Sequence, residues 1–208
     1  MASGFNIEQF KSQLNAQQGV LRNNRFLVTF SSPLCMINSQ TSRKIEYWCE
    51  AINYPGYQLA SSAVRRWVYG PSEQRPYGPT FQQIQCAFVA DGLNEIREYF
   101  STWMQKILPH DTGSSDGSKG MNIVSSYTSG FPYELAYKNT YVTELTIIVY
   151  GPNGVAVDGI VCKEAFPSNL TDMPLTWAEQ NGVGVFSVNF DYLDWYKLTT
   201  QQLKDVSK

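Results

Sequence analysis

The single histidine, His110, is the first residue to consider as a catalytic base or a metal ligand. It follows Pro109 and opens a Gly- and Ser-rich stretch, so no rigid element and no second histidine would hold it. A Ser-His-Asp arrangement needs a fixed imidazole with an orienting carboxylate, and metal sites need closely spaced ligands. The sequence has neither pattern and no glycine-rich phosphate-binding motif. We therefore predict no cofactor and no bound metal.

Two pairs of carboxylates have residue types that glycoside hydrolysis uses. Glu95 and Glu98 lie on a predicted helix, and Asp191 and Asp194 flank the last predicted strand. Acidic residues are common on exposed helix faces and at strand ends, so these positions are ordinary. We predict that the protein is not an enzyme.

The one basic and aromatic cluster is Arg65-Arg66-Trp67. Stacking platforms for single-stranded nucleic acid combine such residues, although basic side chains also protect the edge strands of sheets. The whole chain has 16 Lys+Arg against 18 Asp+Glu and a formal net charge of −2. This balance lacks the basic excess of a dedicated DNA-binding protein, and it favours an edge or intersubunit role for the cluster.

The four cysteines, Cys35, Cys49, Cys86 and Cys162, are widely spaced and form no CxxC pair. Three of them lie inside apolar, strand-like stretches. We expect free, buried and reduced thiols, as in a protein made in the cytosol.

Composition limits the class of protein. The chain has 208 residues, of which 43% are hydrophobic, 14% aromatic and only 16% charged. Low charge with many aromatics is typical of a folded chain, and it hints at subunit contacts. No apolar run reaches the length of a membrane span, and the N-terminus lacks the pattern of a signal peptide.

Strands are the main elements that must position these residues. Alternating apolar side chains predict seven of them: Asn24–Ser31, Lys44–Tyr54, Ala63–Tyr69, Thr80–Ala90, Thr140–Tyr150, Val155–Lys163 and Val185–Tyr192. Turn residues predict breaks at Pro55-Gly56 and at a hairpin over Gly151–Gly154. A turn-rich loop is predicted over Gly70–Pro79, and it holds Arg75 and Tyr77.

One strong helix is predicted at residues 93–108. Its apolar side chains recur at helical spacing, and Asp91 is the predicted N-cap: the apolar set is Leu93, Ile96, Phe100, Trp103, Met104 and Ile107. Residues 5–17 carry Phe5, Phe10 and Leu14, which suggests a short amphipathic helix or an arm ordered by a partner.

We therefore predict a single domain over residues 1–208, mainly β (α+β), with one flanking α-helix. It would carry an N-terminal arm at 1–20, a flexible insertion loop at 109–130 and a polar C-terminal tail at 198–208. The predicted core and turn residues are Pro55, Gly56, Phe81, Phe100, Trp103, Gly154, Trp177, Phe190 and Tyr192.

The order of short motifs resembles the tail tube proteins of contractile-tailed bacteriophages. The similar segments run along almost the whole chain: Arg22–Val28, Trp48–Gly56, Gly78–Phe81, Phe88–Asp91, Ile96–Trp103, Val149–Gly154, Ala165–Pro167, Leu175–Trp177 and Phe186–Tyr192. No single motif is specific, but their order is.

This resemblance implies an antiparallel β-sandwich or barrel-like tail-tube fold. Six copies would form a ring, and stacked rings would form the inner tube that conducts the genome into the host. Partners would be further copies, the tail sheath and the baseplate, with DNA passing through unbound. The location would be the virion tail, after assembly in the host cytoplasm. Alternatives are a baseplate tube-initiator ring, a secretion-system tube, or a small single-stranded nucleic-acid-binding module.

Two sets of residues follow from combining this fold with the strand pattern. Polar strand faces with little charge would line the lumen, and the candidate residues are Gln83, Gln85, Ser187, Asn189 and Asp191. Contacts between subunits or rings would use Phe5, Phe10, Arg65, Arg66, Arg75 and Tyr77.

Overall fold

A computed structural model describes residues 6–16, 20–36, 45–65, 70–109, 135–177 and 182–206. The strands are β1 (Phe26–Phe30), β2 (Cys49–Ile52), β3 (Tyr57–Val64), β4 (Glu73–Phe81), β5 (Ile84–Val89), β6 (Thr143–Tyr150), β7 (Ala156–Leu170), β8 (Val185–Asp191) and β9 (Asp194–Lys197). The helices are α1 (Ile7–Ala16), α2 (Glu95–Ile107), α3 (Lys138–Tyr141) and α4 (Thr200–Val206). All strand pairs are antiparallel.

Strand β7 belongs to two sheets. Its first half pairs with β6 and β9, and its second half pairs with β8. Sheet I therefore has the order β1-β6-β7-β9, and sheet II has the order β7-β8-β5-β2. At the junction, Glu164 has a φ of 53°, a region that residues other than glycine rarely adopt. Lys138 of α3 pairs with its carboxylate.

The bend allows the two sheets to bury their apolar faces against each other. The Phe30 ring of sheet I lies 6.4 Å from Phe88 and 5.3 Å from Phe190 of sheet II. Helix α2 packs against the same cluster, with Phe100 at 5.0 Å from Phe88. The buried Trp103 indole donates a hydrogen bond of 3.0 Å to the Tyr141 carbonyl. The predicted β-sandwich with a flanking helix is confirmed.

Helix α2 begins at Glu95 and its N-cap is Asn94, so the predicted start at residue 93 and the prediction of Asp91 as the N-cap are wrong. Both carboxylate oxygens of Asp91 accept backbone hydrogen bonds, from Glu95 at 3.2 Å and from Ile96 at 3.3 Å. Asp91 thus satisfies the first N–H groups of the helix. Leu93 is 78% exposed, so its predicted place on the buried face is wrong, because it lies in the turn that precedes the helix.

The region between Tyr57 and Phe81 differs most from prediction. Strands β3 and β4 form an isolated two-stranded hairpin, whereas a strand over 63–69 and a loop over 70–79 were expected. Pro76 and Pro79 lie within β4 because each strand of a two-stranded hairpin has one unpaired side, where a missing N–H costs nothing. Residues 66–69 lie outside the described residues.

Two other strands are shorter than predicted. The expected strand over 80–90 is interrupted at Gln82 and Gln83, so β4 ends at Phe81 and β5 begins at Ile84. The expected strand over 44–54 is reduced to β2, since residues 45–48 form a turn in which the Trp48 N–H donates to the Ile45 carbonyl.

The C-terminal part contains more structure than predicted. Strand β7 continues through Pro167 because β8 pairs with it there, and β9 was not predicted. Residues 200–206 form α4 instead of a polar tail. Its buried Leu203 packs on Gly159, where an added Cβ would lie 2.9 Å from the side chains of Leu198 and Leu203. Apolar packing thus holds the C-terminal segment against β7.

The predicted core residues fall into three groups. Phe100, Trp103 and Phe190 are completely buried, and the half-buried Phe81 and Tyr192 rings lie 5.9 Å apart. Trp177 is fully exposed at 104%, so its prediction as a core residue is wrong. It lies in the irregular segment after β7, where no strand pairing directs it inward. Of the turn residues, Pro55 is buried, Gly56 is exposed and Gly154 has a φ of 74° in the β6–β7 turn.

Truncating two aromatic residues tests this assignment. Phe190→Ala should lower the free energy of unfolding of the monomer by about 3–5 kcal/mol, because it removes a completely buried ring. Trp177→Ala should change it by less than about 0.5 kcal/mol, as an exposed site does. Urea unfolding measures both, and comparable losses for the two variants would contradict the assignment.

Candidate functional site

Sheet II carries a row of carboxamide side chains across its outer face. Gln85 of β5 lies directly opposite Asn189 of β8, which in turn lies opposite Asn169 of β7. At the end of β2, the Asn53 N–H donates to the Gln85 carbonyl at 3.0 Å, so Asn53 extends the row to the fourth strand. The core-facing neighbours Ile84, Cys86, Val188 and Phe190 are completely buried.

Small and apolar residues occupy the next rows of the same face. Ala51, Ala87 and Ser187 follow one another across β2, β5 and β8, and the Thr171 N–H donates to the Ser187 carbonyl at 2.9 Å. Val89 lies opposite Val185 in the row after that. Successive side chains of a strand point to opposite faces of the sheet, so the side chains in these rows determine the polarity and charge of the outer face. None of the residues named in them is basic.

Four of the five predicted lumen residues lie on this face. Gln85, Ser187, Asn189 and Asp191 alternate with buried residues along β5 and β8. Gln83 is exposed but lies in the break between β4 and β5, so it is not on a strand as the sequence pattern suggested.

Carboxamides give this face a particular chemistry. Carboxamides donate and accept hydrogen bonds without carrying a charge. Asn53, Gln85 and Asn169 are exposed, whereas the Asn189 Oδ1 atom is buried without a hydrogen-bond partner. The exposed amides can contact a polar polymer without the salt-dependent attraction that Lys or Arg would add. Asp191 contributes the one negative charge among the residues of β5 and β8 on this face. The arrangement can contact an anionic polymer without holding it.

Both edges of sheet II lack a strand partner among the described residues. Strand β2 pairs with β5 alone, and the second half of β7 pairs with β8 alone. Unpaired edges are templates for association with another chain. Because neighbouring strands of sheet II are antiparallel, β2 and β7 run in opposite directions, so β2 of one copy can pair antiparallel with β7 of the next.

The hairpin of β3 and β4 forms an exposed arm. Its root contacts the body through the Tyr57 and Trp195 rings, 6.1 Å apart. The predicted contact residues Arg75 and Tyr77 both lie on it; Tyr77 is 75% exposed, and Arg75 pairs with Glu73 at 3.3 Å. Eight residues of β3 make the arm about 26 Å long at the usual rise per residue.

The arm defines one end of sheet II, the arm end. A cleft of about 600 Å³ lies at this end, lined by Phe26, Ile52 and Tyr54 among others. The Tyr54 hydroxyl donates to Asp158 at 2.8 Å, which ties the exit of β2 to β7. The N-terminal segment also reaches this end, because Leu21 and Asn23 line the same cleft.

The opposite end of sheet II, the loop end, carries two adjacent loops. The Ala90 N–H after β5 donates to the Gly184 carbonyl before β8 at 2.8 Å. The Arg97 side chain of α2 donates to the Thr171 carbonyl at 3.0 Å. These bonds hold the β5–α2 connection beside the described ends of the β7–β8 connection.

The other predicted contact residues are placed only in part. Phe10 is half exposed on α1, and Arg65 is exposed at the end of β3. Phe5 and Arg66 lie outside the described residues, as do His110, Trp67 and the insertion loop from residue 110 onward. Only Arg65 of the Arg65-Arg66-Trp67 cluster therefore lies within the described part of the chain.

Burial keeps three thiols and one phenol of the described chain in their neutral forms. Burial raises the pKa of the Cys35 thiol, that of the Cys86 thiol well above its usual range, and that of Cys162 to about 12. Burial also raises the pKa of Tyr192 to about 12. A nucleophilic cysteine requires the opposite shift, so these thiols behave as core residues. All four cysteines are free of disulfides.

The described residues contain no group of three His, Cys, Asp or Glu side chains placed to hold a metal ion. Within the same residues, no helix combines the length and the apolar character that crossing a membrane requires.

The segments that form these surfaces match the model of a known protein family. The model of a family described as phage tail tube protein matches residues 21–198, which is most of the chain and includes all strands of both sheets. The chain belongs to the phage tail tube protein family. No curated protein matches it in sequence.

Solved structures share the tail tube fold at low sequence identity. A chain of the anti-feeding prophage baseplate is 12% identical, with 86% of this chain and 95% of that chain covered and a TM-score of 0.53. A chain of the sheath-tube complex of an extracellular contractile injection system is 13% identical, with coverage of 95% and 100% and a TM-score of 0.51. A chain of the tube-terminating cap of the anti-feeding prophage is 12% identical, with coverage of 96% and 98% and a TM-score of 0.51.

Sequence reasoning missed two members of the carboxamide row. Asn53 and Asn169 follow a strand end and a bulge, respectively, where alternation does not indicate the face. Only the register across four strands places them beside Gln85 and Asn189. A tail tube subunit with this register presents a continuous neutral row that no single strand reveals.

The raised thiol pKa values can be tested by alkylation. At pH 8, Cys162 should react with iodoacetamide at least about 100-fold more slowly in the folded protein than in urea, because the thiolate forms only as pH approaches its pKa. Mass spectrometry after timed quenching follows each cysteine. Equal rates in the folded and unfolded protein would contradict the buried, neutral assignment.

Proposed function

We propose that this protein is the tube subunit of a contractile phage tail. Six copies close into a ring, the rings stack into a tube, and the genome passes through its bore. The protein is then a structural virion component without catalytic activity. Its partners are further copies of itself, the tail sheath and the baseplate, and it is assembled in the host cytoplasm.

The two free edges of sheet II support ring closure. Pairing β2 of one copy with the second half of β7 of the next extends an all-antiparallel sheet from copy to copy. Repetition of one head-to-tail contact around an axis gives a closed ring. Every edge of sheet II then has a partner, which removes the exposed edges that an isolated subunit carries.

The carboxamide row carries the proposal for the bore. In a closed ring, the row of Asn53, Gln85, Asn189 and Asn169 becomes a belt around the inner wall. DNA has one charge per about 1.7 Å of its axis, so a basic wall would retain it. A neutral belt with Asp191 nearby lets it slide.

Sheet I and α2 lie on the far side of the core from this face, which leaves them on the outside of such a ring. That arrangement supports contact of the sheath with sheet I or α2, away from the bore. The same subunit thus presents different surfaces to the genome and to the sheath.

Adding positive charge to the proposed bore tests this assignment. Tubes assembled from Gln85→Lys/Asn189→Lys should bind a single-stranded or duplex oligonucleotide at low salt at least about tenfold more tightly than wild-type tubes, with an affinity that falls as salt rises. Fluorescence anisotropy measures the binding, and negative-stain microscopy checks that tubes of uniform diameter still form.

The matched control is Tyr137→Lys/Asn139→Lys, which also adds two positive charges, at exposed positions in α3 and directly before it. It should leave oligonucleotide binding close to that of the wild type. Equal binding by the two lysine variants would contradict the bore assignment, and a wild-type chain that forms no rings would contradict the proposed tube.

A further inference from the structure

Helix α1 has the pattern of a helix that enters an apolar surface on a partner. Ile7, Phe10 and Leu14 recur at spacings of three and four residues, the anchor pattern of helix-in-groove recognition. None of the ten residues of α1 is buried. Ile7 is 57% exposed, Phe10 is 50% exposed and Leu14 is partly buried, so about half of the apolar surface of Ile7 and Phe10 faces solvent in the single chain.

A second exposed apolar surface lies at the loop end of sheet II. Large apolar side chains on the β5–α2 and β7–β8 connections and at the start of β8 form what we call the apolar rim: Leu93, Leu175, Trp177, Val183 and Val185. Leu175 is 85% exposed and Trp177 fully exposed. Contiguous exposed apolar side chains mark interaction sites, and the hydrogen bonds from Ala90 to Gly184 and from Arg97 to Thr171 hold the two connections side by side.

The two surfaces lie toward opposite ends of the subunit. Helix α1 joins the body through residues 20–25, and Leu21 and Asn23 line the cleft at the arm end. The apolar rim lies at the loop end, where its member Val185 is paired with Val89. When identical subunits stack head to tail, the arm end of one faces the loop end of the next. Stacking therefore brings α1 toward the apolar rim of another copy.

The arm itself is a poorer chemical match for this rim. Its outer half pairs Ser62 with Arg75 and Ala63 with Gln74, so its far end is polar and charged. Burying such groups against Trp177 and Leu175 would remove polar and charged atoms from water, which costs free energy. The apolar stripe of α1 carries no such cost.

We infer that α1 of one subunit docks through Ile7, Phe10 and Leu14 on the apolar rim of a subunit in the next ring. This inference rests on the proposed stacking of rings. It assigns the rim to a second copy of this chain and gives Trp177, exposed in the single subunit, a role in holding rings together.

Charge placed on either side of α1 tests the docking. Ile7→Asp/Phe10→Asp should reduce the fraction of protein in stacked tubes by about tenfold or more while single rings persist, because docking would bury unpaired carboxylates. The matched control, Gln9→Asp/Ser12→Asp, puts the same charges on the opposite face of α1 and should stack as the wild type does. Sedimentation and negative-stain microscopy count rings and tubes.

Cross-linking tests which copy supplies the helix. Phe10→Cys protein and Leu175→Cys protein are mixed, assembled and oxidised with copper phenanthroline. A disulfide-linked dimer is expected on a non-reducing gel, and Ser12→Cys replacing Phe10→Cys should give at least about fivefold less, since its side chain faces away at helical spacing. Wild-type protein controls for the native cysteines, of which three are buried.

The outcomes separate the two proposals. Rings that stack normally despite Ile7→Asp/Phe10→Asp, or equal cross-linking from positions 10 and 12, would overturn the docking and leave the tube intact. A wild-type chain that forms neither rings nor tubes would overturn both. Loss of stacking with the apolar-face variant alone, together with selective cross-linking from position 10, supports the docking.

Discussion

One strand, β7, belongs to both sheets, and the packing of the two sheets depends on the bend in this strand. With Glu164 in the left-handed region at the junction, sheet I folds over sheet II, and Phe30, Phe88 and Phe190 meet in the shared core. The first half of β7 is used on both sides by β6 and β9. Its second half has β8 on one side only, so the same bend that builds the core leaves sheet II with an open edge.

The open edge and the neutral face are two consequences of this arrangement. Because the apolar face of sheet II is buried against sheet I, its other face is free to carry a different chemistry, and the register places carboxamides in line across four strands. Neutral groups neither attract nor strongly repel a phosphate backbone. A low overall charge, with 16 basic against 18 acidic residues, is therefore compatible with a subunit that surrounds DNA without binding it.

Much of the fold could be predicted from the sequence because its strongest patterns are local. Alternation along β8, the helical spacing in α2 and the glycine-rich turn before β7 each reflect one element and its burial. The arm could not be predicted, because prolines in β4 indicate a loop unless the strand has an unpaired side. Likewise, Trp177 is a large aromatic residue of the kind that is usually buried, and only the course of the chain after Leu170 shows that it is exposed. Half of the carboxamide row could be predicted. The positions of Gln85 and Asn189 follow from the alternation of apolar and polar residues along one strand. Those of Asn53 and Asn169 depend on pairing between strands that are distant in sequence.

We propose that sheet II closes into the inner wall of a ring, with its carboxamide row facing the bore. A cryo-electron microscopy reconstruction of the assembled, purified protein tests this most directly. We expect β2 of each subunit to pair antiparallel with the second half of β7 of its neighbour, and the Gln85 and Asn189 side chains to point into the channel. A ring in which sheet I lines the channel, or in which β2 remains unpaired, would contradict it.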